Sequence, residues 1–376
     1  MTTVLFLHRG GDHIRGTEAC LIQSVRALTA DGYEAVVVRN HPCIDRAIAE
    51  ITPNPRIIPF EFPELTLSGK HTSLPIFRFV RQLQALKKLI GAFEPAVLYC
   101  SGGLPCQLAV TAAPRKRVRV LCHFHHPAMK RDYYFWRVTS ADRIIFPSEY
   151  TRDHSRAKAN VQGTVIYNGV DLNRFTPVNG RDMAWRTKYG IASDAIVIGQ
   201  VGALTQHKRP EFLIRSFAAL VNRTRRRLHL CIVGTGELES RVSSLARDLN
   251  LIDRVTLTGY VDDTLPFYQH VFDINVLVSE QEGLGISAIE GSACGLPVVA
   301  SNCTGLRETI RDNITGMLFD PTDSESFEAK LLSLVEQPEL RQRLGVAGAT
   351  FARERFSSEE YDKGIVMVVR ELCDAI

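Results

Sequence analysis

Residues 271–300 read Val-Phe-Asp-Ile-Asn-Val-Leu-Val-Ser-Glu-Gln-Glu-Gly-Leu-Gly-Ile-Ser-Ala-Ile-Glu-Gly-Ser-Ala-Cys-Gly-Leu-Pro-Val-Val-Ala. Positions 274–278 are an apolar run of strand length, interrupted only by Asn275. A polar loop with two glycines occupies 279–285. Positions 286–294 carry helical spacing, with Gly291 as the one breaker and Gly295 placed to cap the helix C-terminus. A second apolar run fills 296–300. Strand, loop, helix and strand in that order is the form of a βαβ crossover, which predicts a parallel sheet.

The loop holds the chemistry. Gly283 and Gly285 have no β-carbon, so an anion can approach the main chain closely. The amides of Gly283, Leu284, Gly285 and Ile286, at the start of the following helix, would donate to it with the helix dipole behind them. Glu282 stands before the glycines and Glu290 one turn into the helix. Two carboxylates repel a bare phosphate, but they can accept from hydroxyls on either side of one. A nucleotide-sugar has that layout: ribose, diphosphate, hexose. From spacing alone, a capping acid and a surface acid would serve equally well.

Outward from this unit the same alternation recurs. An apolar run at 195–201 ends in Gly202, and Pro210 opens a helix. Lys208 and Arg209 lie between them, where cations suit a diphosphate. A strand at 228–233 runs into Gly234-Thr-Gly236, but position 239 is Glu239, so a dinucleotide fingerprint is broken and a dehydrogenase is disfavoured. A strand at 254–258 precedes Gly259-Tyr260-Val261. At the other end, a strand at 4–7 leads through Gly10-Gly11 into a helix over 16–30 that Gly16-Thr17-Glu18 opens, and a strand at 33–38 follows. That is the opening of a doubly wound α/β domain. After a strand at 118–121 comes Cys122-His-Phe-His-His-Pro127. Continued alternation would put His123 and His125 on one face and His126 on the other, which argues against a metal triad. At Asn168-Gly-Val-Asp171 the residues are those of a turn, with Asp171 as its cap.

Composition narrows the class. With 45% hydrophobic and 23% charged residues, the chain is of ordinary globular type. No apolar run reaches the roughly 18–20 residues of a membrane helix, and the first residues read as a buried strand rather than a leader. Nine cysteines without a Cys-x-x-Cys pair suit free thiols in a reducing cytoplasm. The net charge of +4 is unevenly spread: 22 Lys/Arg against 13 Asp/Glu in residues 1–170, and 23 against 28 in 171–376. The basic first part suggests an anionic partner, a phosphate-bearing acceptor or an anionic membrane face, reached through Lys87-Lys88, Arg115-Lys116-Arg117 and Lys130-Arg131. No feature points to nucleic acid.

Glu282-Gly-Leu-Gly-Ile-Ser-Ala-Ile-Glu290, followed by Gly295-Leu-Pro-Val-Val-Ala-Ser301, resembles the donor-site signature of the retaining glycosyltransferases of family four. The resemblance extends to Gly16-Thr17-Glu18, to the His-x-Pro segment at His125, to Asn168-Gly-Val-Asp171, to Lys208 and to Gly305-Leu-Arg-Glu308. It implies the GT-B form of α/β architecture: two facing Rossmann-like doubly wound domains with a C-terminal helix crossing back to the first. The expected parts are an acceptor-side domain at 1–178, a donor-binding domain at 179–355 and the crossing helix at 356–376.

It further implies transfer of a hexose from a nucleotide-diphosphate sugar to a glycan or lipid-linked acceptor, with retention. Glu282, Lys208 and His125 are the expected catalytic residues. Gly16, Thr17, Gly202, Arg209, Tyr260, Val261, Gly283, Leu284, Gly285, Ile286 and Glu290 are the expected donor contacts. The donor is a substrate, so no cofactor is expected, and metal is dispensable in such enzymes. The expected setting is cytoplasmic, in polysaccharide assembly, with peripheral contact at the inner membrane face. Four departures stand out: Leu284 replaces an aromatic, Thr17 and Thr304 replace glycines, and Ala203 replaces an arginine. The alternatives are a nucleotide-sugar epimerase or hydrolase of the same fold, and a non-catalytic nucleotide-sugar-binding subunit.

Overall fold

The computed structural model describes residues 1–63, 66–68, 71–73, 76–126, 134–154 and 163–376. Pro127 and Lys130-Arg131, named above, lie outside the described residues. The chain divides into two compact units, Met1–Gly169 with Glu359–Ile376, and Val170–Ser358.

The main sheet of the first unit is made of β1 (Thr3–His8), β2 (Glu34–Arg39), β3 (Arg56–Pro59), β4 (Val97–Ser101), β5 (Arg119–His123), β6 (Arg143–Phe146) and β7 (Gly163–Val165). They pair in the order β3-β2-β1-β4-β5-β6-β7, all parallel. Every residue of β1 and of β4 is buried, as expected of parallel strands covered on both faces. Helices Ile76–Phe93 and Gly103–Ala112 cover one face, packing Leu86, Ile90 and Leu108 on Leu5, Leu98 and Val120. Helix Gly16–Ala30 covers the other with Leu21, Val25 and Leu28.

Onto that second face comes the terminal helix Ser358–Asp374. Its Tyr361, Ile365, Val368, Val369 and Leu372 repeat at helical spacing and join the core of Phe6, Tyr99 and Ile145. Arg370 pairs with Asp31 at 3.1 Å and Glu371 with Arg143 at 2.8 Å.

The second unit holds β8 (Ile196–Val201), β9 (Leu228–Val233), β10 (Val255–Leu257), β11 (Ile274–Leu277), β12 (Val298–Ser301) and β13 (Met317–Phe319). Their order is β10-β9-β8-β11-β12-β13, again all parallel. The crossover over 271–300 is present as read. Asn275, the one polar residue of β11, donates to the Ser287 carbonyl at 2.9 Å. Its side chain sits where a β-carbon on Gly291 would fall, 2.4 Å away, which explains a glycine inside the helix Ile286–Ala293.

Three elements depart from the reading. Strand β5 runs on to His123, so that histidine is part of the sheet. Helix Gly103–Ala112 and the antiparallel pair Thr66–Ser68 and His71–Ser73 had no clear periodic signal.

In open parallel sheets ligands bind beyond the carboxyl ends of the strands, where the strand order reverses. The reversal falls between β1 and β4 in the first unit and between β8 and β11 in the second.

Candidate active site

The loops after β8 and β11 flank the reversal in the second unit. The β8 loop tightens into a 3₁₀ turn, Gln206–Lys208, and the left-handed Arg209 (φ +51°) then turns the chain into helix Pro210–Val221. The turn is tied to the other loop by the Glu280 amide, which donates to the His207 carbonyl at 2.8 Å. Lys208 Nζ donates to Glu282 Oε1. Gly202 follows the last residue of β8 at φ +156°, with the Lys208 side chain about van der Waals distance from where a β-carbon would stand, its Nζ at 4.0 Å.

Glu282 is buried and held from several sides. Ser279 Oγ donates to the same Oε1 at 2.6 Å. Thr304 Oγ1 accepts from the Glu282 amide at 2.7 Å, and the Gly305 amide donates to the Glu282 carbonyl at 3.2 Å. Thr304 sits at φ +33°, the left-handed region that suits glycine better. The threonine thus accepts backbone strain and supplies a hydroxyl that fixes the loop. Ser279 and Thr304 are partners the sequence did not announce: one is a strand-end serine, the other lies 22 residues downstream of the amide it binds.

The glycine loop enters helix Ile286–Ala293 through Gly285 at φ +92°. The amides of Ala288 and Ile289 both turn to the Gly285 carbonyl. Those of Ile286 and Ser287 have no acceptor among the described residues, as expected at a helix start. Leu284 is buried, so its side chain anchors the loop. A β-carbon on Gly285 would lie 2.4 Å from Leu306 Cδ2. Gly285→Ala is therefore expected to cost about 1–3 kcal/mol of stability, read as a lower denaturation midpoint in urea.

Glu290 lies one turn further on, half-buried, and accepts from Tyr268 Oη at 2.8 Å. Burial pushes its carboxyl up to about 7, against the hydrogen bond from Tyr268 and the charge of Arg174. Tyr268 comes from the π-helical turn Phe267–Val271 and had no sequence signal of its own. Arg209 is directed elsewhere: its Nη1 donates to the Pro321 carbonyl at 2.7 Å and its guanidinium lies 4.2 Å from the Phe212 ring centroid. Tyr260, partly exposed, and Val261 follow β10, where the Gly234 amide donates to the Gly259 carbonyl at 3.0 Å.

The first unit has its own polar row at the carboxyl edge. Register aligns His8, Ser101 and His123 across β1, β4 and β5. His125 Nε2 lies 3.1 Å from Ser101 Oγ, and the rings of His123 and His125 are 4.5 Å apart. Burial, with the nearby His123, His126 and His8, pushes His125 well below the ordinary histidine range. Gly16 and Thr17 begin helix Gly16–Ala30, and the loop before them is closed by Glu18. Its carboxylate accepts from the Gly11 and Arg15 amides at 3.2 and 3.0 Å. Burial would raise that carboxyl, but His8, whose Nε2 lies 3.7 Å from its Oε1, and hydrogen bonds from the backbone hold it below its usual value. His8 and Glu18 thus belong to the row, although only position at a strand end could have marked His8.

Among the described residues no group of three His, Cys, Asp or Glu side chains is placed to hold a metal ion. None of the described helices is long and apolar enough to cross a membrane.

The family model for glycosyl transferases group 1 matches residues 182–351, and that for Glycosyltransferase Family 4 matches 14–174. EpsD of Bacillus subtilis (strain 168), a glycosyltransferase by name, is 30% identical over 296 residues, 72% of this chain and 75% of that protein. A GDP-mannose-dependent alpha-(1-6)-phosphatidylinositol monomannoside mannosyltransferase of Mycolicibacterium smegmatis is 28% identical over 292 residues, with the same coverage of 72% and 75%. In three dimensions the chain is similar to Anabaena Alr3699/HepE in complex with UDP-glucose. The TM-score is 0.84 at 19% identity, covering 99% of this chain and 100% of that one.

Proposed function

The chain belongs to the group 1 glycosyltransferases of the family 4 type, with two Rossmann-like α/β units, and from that membership we propose that it moves a hexose from a nucleotide-diphosphate sugar to a glycan or lipid-linked acceptor with retention of configuration. The observation that carries this reading is the pairing of Lys208 with Glu282 beside the open amides of Ile286 and Ser287, at the strand reversal of the second sheet. The relatives support the donor class: HepE holds UDP-glucose, and the mycobacterial enzyme uses GDP-mannose.

The chemical task is to release a nucleoside diphosphate while positive charge develops on the sugar ring. The Lys208 ammonium and the amides of the Gly283–Ile286 loop take up the leaving charge. Gly202 leaves space for the diphosphate beside the lysine. Glu290 accepts from the ribose hydroxyls, and Tyr260 and Val261 offer main-chain groups to the base. Glu282 holds hexose hydroxyls and favours positive charge near the anomeric carbon. The resemblance further assigns His125 a hexose hydroxyl and Gly16 and Thr17 amide contacts with the diphosphate. The acceptor attacks the face that the diphosphate leaves, and a phosphate oxygen takes its proton. Arg209 acts through the loop it braces against Pro321 and Phe212.

A thermal-shift screen of nucleoside-diphosphate sugars tests the donor class, because a ligand at 100 times its Kd stabilises by about 2.7 kcal/mol. One matching donor should raise the melting temperature by several degrees, and proton spectra of the product should show the donor's anomeric configuration. Inversion, or binding without turnover across acceptors, would reject the transfer as stated.

The acceptor side is proposed to work at an anionic lipid surface. Helix Ile76–Phe93 contains Arg78, Arg81, Lys87 and Lys88 and no acidic residue, and it exposes Ile76, Phe77 and Val80, the phenylalanine to 93%. Exposed apolar residues among cations are the composition of an interfacial helix. Arg78 and Arg81 share Glu61, and Arg115 is paired with Asp142, which leaves the lysines as the stronger attractors. Vesicles containing phosphatidylglycerol should co-sediment the protein, and Phe77→Glu should abolish most of that binding. Equal binding to neutral vesicles would remove the electrostatic part.

A further inference from the structure

The stretch Asn168-Gly-Val-Asp-Leu-Asn-Arg-Phe-Thr-Pro177 has no part in the transfer as described, yet the fold brings it within one side chain of Glu290. Asp171 caps a turn, as its place in the sequence suggests. Its Oδ1 accepts from the Asn173 and Arg174 amides at 3.1 and 3.2 Å, and its carbonyl accepts from the Phe175 amide at 2.8 Å. Phe175, on that turn, is only 6% exposed. Its ring meets that of Tyr268 edge-on with centroids 6.0 Å apart, and the Phe272 ring meets Tyr268 at 5.7 Å and 87°. Gln269, next to Tyr268, donates to the Thr176 carbonyl at 2.9 Å. Phe175 and Thr176 thus both engage the turn Phe267–Val271 that carries Tyr268.

Tyr268 is 1% exposed, and its hydroxyl donates to Glu290 Oε2 at 2.8 Å. A buried ring packed against two others has little freedom, so the direction of that bond is fixed. Glu290 itself is half-buried, and its Oε1 takes no hydrogen bond from the described residues. One carboxylate oxygen is anchored and the other is left to accept. The charged and titratable groups that face this carboxyl are Tyr268, Cys294, Arg174 and Asp263. Arg174 pairs with Asp263 at 2.5 Å, and its guanidinium lies 5.4 Å from the Phe175 ring centroid. After burial, the bond from Tyr268 acts most strongly on the carboxyl, and it favours the ionised form.

We propose that Phe175 and Tyr268 are positioning residues for nucleotide binding: the turn capped by Asp171 holds Phe175 against the Tyr268 ring, and the Tyr268 hydroxyl holds Glu290 so that Oε1 faces the ribose hydroxyls of the nucleotide. The ribose contact rests on the glycosyl-transfer reading; the hold of Tyr268 on Glu290 does not. The stretch at the start of the second unit thereby acts on the site through two aromatic rings, both too deeply buried to touch a ligand themselves.

The test uses the whole protein labelled with ¹³C at the glutamate carboxyls, with the Glu290 signal identified by its loss in Glu290→Gln. Tyr268→Phe keeps the ring and removes the hydroxyl, and the titration midpoint of the Glu290 carboxyl should rise by about one pH unit. Phe175→Leu should raise it less. Calorimetry with UDP, GDP and ADP then reads the ligand. For whichever of them binds the unmodified protein, Tyr268→Phe should weaken affinity about tenfold at pH 7 and much less at pH 9, where the carboxyl is ionised in both proteins. Inorganic pyrophosphate, which carries no ribose, should bind the variant and the unmodified protein alike. A variant that merely loosened the fold would lose affinity for every probe at both pH values. An unmoved midpoint in Tyr268→Phe, or equal losses of affinity at pH 7 and pH 9, overturns the proposal. If the unmodified protein binds none of the three nucleotides, the ribose contact falls together with the donor reading, while the titration alone still decides the hold of Tyr268 on Glu290.

Discussion

Lys208→Ala is expected to lower turnover by about 10²–10³-fold while donor affinity falls far less, because preorganised donors act mainly on charge that develops in the transition state. The expectation follows from position. Lys208 is the cation that the structure joins to Glu282, and Arg209 is engaged by Pro321 and Phe212. Ala203 contributes no charge from the same loop. Loss of the ammonium also removes one of the bonds to Glu282 Oε1 while that from Ser279 remains, so a modest fall in stability should accompany the kinetic effect. Steady-state kcat, set beside calorimetric donor affinity, separates the two. An unchanged kcat would remove Lys208 from the chemistry.

The second large effect concerns Glu290. Glu290→Ala should weaken nucleotide binding by about 10–100-fold, the usual worth of one or two hydrogen bonds to a charged acceptor. The same carboxyl gives a dependence on pH. Its folded pKa is raised from 4.5 to about 7 by burial. The unfolded chain therefore ionises first as pH rises. The stability this group contributes is complete below about 4.5 and is lost as pH climbs through 7. Ribose hydroxyls donate best to the ionised form, so donor affinity should rise across the interval in which unliganded stability falls. Both slopes should vanish in Glu290→Gln. Calorimetric titrations at pH 5.5 and 8 and urea unfolding at the same values read them independently. Equal affinity at both pH values would reject the ribose role.

The crossover that organises the second unit was legible because its signals are local. Apolar runs, glycine positions and helical spacing over 274–300 sit within one window, and Asn275 was visible as the exception. Its reason was not visible, since the missing β-carbon of Gly291 belongs to another element. The support of Glu282 by Thr304 and of Glu290 by Tyr268 failed to appear for the same cause: each joins residues 22 apart in the chain. Helix Gly103–Ala112 was hidden by glycine at its start and by Pro105 in its first turn, where proline is tolerated. The engagement of Arg209 with the Pro321 carbonyl and the Phe212 ring was equally hidden, since the carbonyl lies 112 residues further along the chain. Strand order, and with it the two reversals, lies beyond any periodicity argument.

The terminal helix has a bearing on how the protein comes into being. Tyr361, Ile365 and Val368 complete a core begun by Val4 and Phe6, yet the whole second unit is translated between them. On the ribosome the first unit must wait, its core of Phe6, Tyr99 and Ile145 short of the terminal helix, while a complete neighbour folds ahead of it. A nascent chain arrested before residue 358 should thus carry a folded later half and an earlier half that still recruits chaperones, the reverse of the usual order of domain birth.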